Sequence, residues 1–121
     1  MSYYLKLDIP MLPKSLNRSL RAHRWANLNE MRMWSRYIKA VAKDKLPPKP
    51  LSKASLVLLR YSHRTLDYDG LVGSMKPVVD ALVDAGILSD DSWKVTGQWN
   101  IGQHFRPKKN GPLLVIEVYS V

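Results

Sequence analysis

The 121-residue sequence contains no cysteine, which excludes disulfides, thiolate nucleophiles and thiolate zinc sites and fits a reducing compartment. It lacks any apolar run approaching the roughly 18 residues that cross a bilayer, so a chain free of the membrane is expected. Met1-Ser2-Tyr3-Tyr4 opens an alternation of apolar and charged residues, without the apolar segment and small-residue cleavage site of a secretory signal; export is not expected, and the cytoplasm is. Internal repeats and low-complexity tracts are absent, and the length suits a single domain over 1–121 with one core.

Acidic residues are scarce. Ten Asp and Glu stand against 19 Lys and Arg, for a formal charge of +9, which favours a polyanionic partner and nucleic acid first. The shortage is uneven. Six aspartates and one lysine between 67 and 91 leave that segment at −5, so the rest of the chain carries +14. Such an acidic patch would repel a phosphate backbone unless a cation neutralised it.

Tyr3, Leu5, Leu7 and Ile9 alternate with Tyr4, Lys6 and Asp8, a period of two that predicts a strand ending at Pro10. The polar, basic stretch from Pro13 to Arg24 reads as a surface loop bearing Lys14, Arg18, Arg21 and Arg24. From Leu28 to Lys43, Met31, Trp34, Ile38 and Val41 recur at helical spacing, with Asn27 and Glu30 as a capping box. Arg32, Arg36, Lys39 and Lys43 form a second stripe on this helix, either a solvated outer face or a ridge that touches phosphates. Trp34 belongs to the apolar stripe; Trp25, in the basic loop, either packs inward or stacks on an exposed base.

Pro47, Pro48 and Pro50 make a stiff connector. Ala54 to Tyr61 is apolar on both faces, as for a central strand covered on each side. Met75, Val78, Val79 and Leu82 mark a second helix with Pro77 in its first turn, closed by Gly86 with Ile87 as its hydrophobic contact. Val95 to Phe105 alternates as a strand, Lys108-Lys109-Asn110-Gly111 turns the chain, and Leu113 to Val121 is a final apolar strand. The order β-α-β-α-β-β predicts an α+β domain with two helices packed on a mixed sheet.

Asp67-Tyr68-Asp69 follows the central strand, and on extended backbone two carboxylates two residues apart face the same side. Asp90-Asp91 follows the second helix, so a chain returning across the sheet brings one of that pair beside the first. Oxygen ligands without cysteine or paired histidine favour a hard ion, Mg²⁺ or Mn²⁺, and phosphodiester hydrolysis. Lys76, the only cation in the segment, is placed either to orient the attacking water or to stabilise charge on a scissile phosphate. The plainer alternative makes Asp67 or Asp69 a turn or cap residue, pairs Lys76 with Asp80 at i, i+4, and leaves Asp80 and Asp84 on the solvent side. His63 and His104 receive no role.

Leu66-Asp67-Tyr68-Asp69-Gly70, then Lys76-Pro77-Val78-Val79-Asp80-Ala81-Leu82-Val83-Asp84-Ala85-Gly86, then Asp90-Asp91, resembles the central motif of the RusA family of Holliday junction resolvases. The early Pro13-Lys14-Ser15-Leu16-Asn17 segment is a weaker echo, and a closing hairpin is in keeping with the family. The resemblance implies a RusA-like fold and a homodimeric, Mg²⁺-dependent endonuclease, bacterial or prophage-encoded, that resolves four-way DNA junctions by paired nicks. It carries Asp67, Asp69 and Asp91 over as metal-binding acids and Lys76 as the essential basic residue. Gly70 departs from the usual Asn, and a longer glycine-bearing stretch separates Asp69 from Lys76. A nuclease for forks or flaps, and a basic DNA-binding protein without catalysis, are the competing expectations.

Overall fold

The computed structural model describes residues 2–14 and 20–121, the side chains of 20–27 excepted. The period-two pattern near the start forms β1 (Tyr4–Ile9), in which Leu5, Leu7 and Ile9 are buried and the residues between them exposed. Helix α1 runs over Leu20–Val41, so it begins eight residues before the expected start and the predicted loop through Arg24 is helical from Leu20 onward. Ser15 to Arg18 lie outside the described residues, as do the side chains of Arg21, Arg24 and Trp25. Asn27 and Glu30 therefore stand inside the helix and form no capping box. Glu30 is buried instead, accepting from the Lys14 backbone N–H at 2.6 Å and from Trp34 Nε1 at 3.3 Å.

That burial redefines the inward face of α1. Trp34, Ile38 and Ala42 are fully buried at a spacing of four, in line with Glu30, while Met31 and Val41, expected inside, are exposed at its borders. A short 3₁₀ turn at Lys43–Lys45 and an extended connector lead to Leu51, which bridges to Leu88. Strand β2 (Ala54–Ser62) alternates strictly: Ala54, Leu56, Leu58, Arg60 and Ser62 are buried, and the residues between them are half-buried. The strand is central, as expected, but its two faces are not alike: one is buried and the other only half-buried.

The acidic segment contains a helix missing from the expected order. α2 (Tyr68–Ser74) precedes α3 (Lys76–Asp84), and Met75 joins them. Pro77 lies in the first turn of α3, where its missing N–H has no helical partner to lose. At the other end Gly86 takes φ 87, its N–H donates to Val83 O at 3.0 Å, and the Ile87 N–H donates to Leu82 O at 3.0 Å. This paired closure, with Ile87 buried against the helix, is the C-terminal motif the Gly86-Ile87 spacing predicts.

Residues expected to begin the third strand instead make α4 (Trp93–Thr96), and Gly97 at φ 58, ψ −150 breaks the backbone before β3 (Asn100–Phe105). After a 3₁₀ turn at Lys108–Asn110, β4 (Leu113–Ser120) completes a four-stranded mixed sheet in the order β1-β4-β2-β3. β4 runs antiparallel to both neighbours, with Leu7 opposite Ile116 and Leu58 opposite Ile116, whereas β3 lies parallel to β2 at the edge. β3 and β4 are therefore not paired, and the closing hairpin expected from the Lys108-Gly111 turn is absent: the chain passes over β2 to reach the centre of the sheet. The architecture is α+β on a mixed sheet, with four α-helices among the described residues in place of two. α1 and α3 pack side by side, and Trp34, Ile38, Val78, Val79 and Leu82 share one core with Leu5, Leu56, Leu58, Leu114 and Ile116. No described helix is long and apolar enough to cross a membrane.

Candidate functional site

Strand β2 ends at Ser62 and delivers the chain to the acidic segment. Leu66 is held there by the side chain of Gln103 on β3, which accepts from the Leu66 N–H at 3.0 Å and donates to its carbonyl at 2.8 Å. Asp67 follows on extended backbone (φ −68, ψ 166) as the N-cap of α2, its Oδ1 accepting from the Gly70 N–H at 3.2 Å. Tyr68 and Asp69 are already helical, so the same-side argument for extended residues does not apply to Asp67 and Asp69. Both carboxylates are exposed.

The longer stretch between Asp69 and Lys76 is thus spent on a helix. Its effect is to set Lys76 at the start of α3, where Nζ donates to Asp80 Oδ1 at 2.9 Å and makes a close hydrogen bond to Asp91 Oδ2. Asp91 is further held by its own N–H, which donates to Asp90 Oδ1 at 2.8 Å. The Lys76 hydrogen bond keeps the Asp91 carboxyl below the usual carboxylate range. Burial pulls the Lys76 ammonium down, and the hydrogen bonds with Asp91 and Asp80 outweigh it, so its pKa is raised. The Lys76 side chain is 51% exposed and that of Asp91 30%, so solvent screening limits this bridge to at most about 1 kcal/mol.

A hollow of about 250 Å³ adjoins this bridge, with Asp91, Tyr68, Val72, Trp93, Trp99 and Ile101 on its walls. Tyr68, flanked in sequence by Asp67 and Asp69, and Asp91 thereby share one cleft, whose walls include neither Asp67 nor Asp69. The expected convergence of Asp67, Asp69 and Asp91 into a cage is not seen: among the described residues no three His, Asp or Glu side chains are grouped to hold a metal ion. The oxygen-only donors fit a hard cation in kind, and Lys76 supplies the positive charge nearest to Asp91. Two exposed aromatics that carried no expectation, Tyr68 at 69% and Trp93 at 73%, open onto this cleft.

The basic stripe is exposed at Arg32, Arg36 and Lys39 of α1, whereas Lys43, expected on the same helix, lies exposed in the 3₁₀ turn that follows it. Part of it faces other protein. Lys39 pairs with Asp84 at 2.9 Å, and Asp84 also accepts a close hydrogen bond from Ser35. Ser35 and then Lys39 hold the Asp84 carboxyl below its ordinary range. Arg32 and Arg36 line a groove of about 460 Å³ between α1 and α3, opposite Asp80 and Asp84. Asp80 and Asp84, expected on the solvent side, border this groove. Lys14, at the end of the described N-terminal stretch, is exposed, and its backbone is tied to Glu30. His104 stacks on Tyr61, with ring centroids 5.1 Å apart.

Comparison with known proteins returns no matching family model and no matching curated sequence.

Proposed function

We propose that this chain is a Mg²⁺-dependent endonuclease for branched DNA, resolving four-way junctions as a homodimer in the cytoplasm of a bacterium or from a prophage, in the manner of the RusA family it resembles. The observation that carries the reading is the Lys76 bridge to Asp91. It joins the residues on either side of α3 that the motif requires, at the edge of a cleft shared with Tyr68. A body of +14 surrounding a −5 segment supplies the attraction for DNA.

Asp67, Asp69 and Asp91 would hold the divalent ion, which when bound supplies Lewis acidity and an activated water. The protein's own groups do the rest. Lys76, bridged to Asp91 on the cleft wall, donates to a non-bridging oxygen of the scissile phosphate and offsets charge growing there as water adds to phosphorus and the P–O bond to the leaving strand breaks. Asp69, exposed in the first turn of α2, is open to the substrate side. Tyr68 and Trp93 offer flat apolar faces on which bases unpaired at a branch point can stack. Two copies related by a two-fold axis would deliver the paired cuts.

The test is cleavage of synthetic four-way junction, fork, flap and duplex DNA with and without Mg²⁺. The junction is expected to be cut preferentially, and Asp69→Asn to bind it without cutting. Normal cutting by Asp69→Asn removes the site assignment, and preference for forks or flaps moves the substrate. One observation favours a second reading, a basic DNA-binding protein without catalysis: Asp67 caps a helix, and Lys76 is already bridged to Asp80 and Asp91. Calorimetry with Mn²⁺ on wild type and Asp91→Asn separates the two, since only the nuclease takes up the ion and loses it with Asp91.

A further inference from the structure

The core-facing row of β2 is apolar through Ala54, Leu56 and Leu58, then continues as Arg60 and Ser62. Arg60 is only 8% exposed, and its Nε–H, itself closed to solvent, has no hydrogen-bond partner among the described residues. It lines a hollow of about 580 Å³ together with Ser62, His63, Arg64 and Lys108. Every residue lining this hollow is apolar, hydroxylic or basic; no carboxylate is among them. A buried guanidinium normally has an acceptor, because an unmet charged donor is costly away from water.

The walls are held in place by hydrogen bonds. The Arg64 N–H donates to Ser62 Oγ at 3.2 Å, and the Arg106 N–H donates to Ser62 O at 3.0 Å. The Arg106 side chain donates from Nε to Gly111 O at 2.9 Å and from Nη2 to Asn110 O at 3.1 Å, which fixes the loop that carries Lys108. Burial lowers the Arg60 pKa, yet a guanidinium stays charged at neutral pH.

We infer that this hollow is a phosphate-binding site, in which Arg60, Arg64 and Lys108 take the non-bridging oxygens of a nucleic-acid backbone phosphate beside the acidic cleft. Three cations and a donor-rich rim exceed what a single carboxylate would need, whereas a phosphodiester offers two oxygens to the guanidinium fork. Arg64 is three residues from Asp67, so their Cα atoms are at most about 11 Å apart and one strand reaches both places. The oxyanion site stands on its own geometry, and its assignment to a DNA phosphate rests on the function proposed above.

The experiment follows the Arg Nε–H resonances of ¹⁵N-labelled protein, with a chelator present so that no cutting occurs. Inorganic phosphate is added first, and then a four-way junction. Arg60 Nε–H is expected to shift saturably with phosphate and with the junction, each competing with the other. Arg64→Ala combined with Lys108→Ala, both at exposed positions, is expected to weaken phosphate binding about tenfold and to lower the salt slope of junction binding by about two. Lys49→Ala with Lys53→Ala should leave the phosphate titration unchanged. An Arg60 signal indifferent to both ligands, or a double variant that titrates like wild type, overturns the site. A phosphate response that the junction does not compete with overturns the nucleic-acid assignment. Asp69→Asn should keep the full response even if it cuts nothing, so failure of the nuclease reading and failure of this one give different results.

Discussion

The acidic shoulder from Asp67 to Asp91 and the basic hollow around Arg60 adjoin along the chain, and they treat charge in opposite ways. On the shoulder the aspartates find cations or donors within the protein: Lys76 serves Asp80 and Asp91, Lys39 serves Asp84, and the Gly70 N–H serves Asp67. In the hollow, Arg60 is buried with an Nε–H that meets no acceptor. The −5 of this segment already counts Lys76, and Lys39 adds one cation from outside it, while Arg60, Arg64 and Lys108 of the +14 body gather around a hollow with no carboxylate among its described lining residues. Net charge identifies the class of partner; where that charge is left unanswered indicates where the partner docks.

The comparison is tested most severely by chemistry. Asp69→Asn should lower junction cleavage by about a hundredfold or more, the scale of losing one electrostatic group at a reacting centre, while junction affinity in chelator stays near wild type. The two regions should then respond oppositely in stability. Arg60→Met removes an unanswered buried donor while keeping most of the side-chain volume. It should raise unfolding free energy in urea by about 1 kcal/mol while weakening phosphate binding as read at the Arg64 Nε–H resonance. Asp67→Ala should cost about 1 kcal/mol through the lost cap of α2. A stabilising Asp67→Ala, or a destabilising Arg60→Met, would break the contrast.

A pH series sharpens it further. The Asp91 carboxyl is held down by Lys76, so its contribution to stability is present above the ordinary carboxylate pKa of about 4 and is lost as pH falls through the lower folded value. The Lys76 ammonium is held up, so its contribution is complete below the ordinary lysine value and is lost only as pH rises through the folded one. Asp91→Asn should therefore flatten the acid limb of stability and leave the neutral plateau lower by at most about 1 kcal/mol, given the exposure of the pair. The smallest effect is expected from Arg32→Ala with Arg36→Ala. If that stripe touches DNA, the salt slope falls by about one for each phosphate that an arginine had neutralised; an unchanged slope assigns both arginines to the groove beside Asp80 and Asp84.

The parts legible in advance were those governed by local rules. Alternation in Tyr3 to Ile9 specified β1 and its buried face, and Pro77 and Gly86 bracketed α3 because each acts on the backbone of its own turn. The α+β class and the Lys76–Asp80 pair follow from spacing alone. The misjudged features depended on partners distant along the chain. Glu30 looked like a capping residue because Asn27 precedes it, yet a longer α1 turned it inward to meet Lys14 and Trp34. α2 was missed because Asp67-Tyr68-Asp69-Gly70 has no helical apolar period, and its helicity is supported by a cap and by Leu71 packing on the core.

Sequence alone determined the charge, the absence of sulfur chemistry, the oxygen-only character of the acidic donors and the segments able to form α1, α3, β1, β2 and β4, since all of these depend on residue type and near neighbours. Tertiary structure decided that β4 inserts between β1 and β2 and leaves β3 at the edge, because strand pairing is a competition among edges that no single segment encodes. It also decided that Lys76 reaches Asp91 across fifteen positions, and that Arg60 follows an apolar row into the wall of a hollow with no carboxylate among its described lining residues. Whether a charge is answered depends on what the fold brings within a few ångströms, and that distance is not written along the chain.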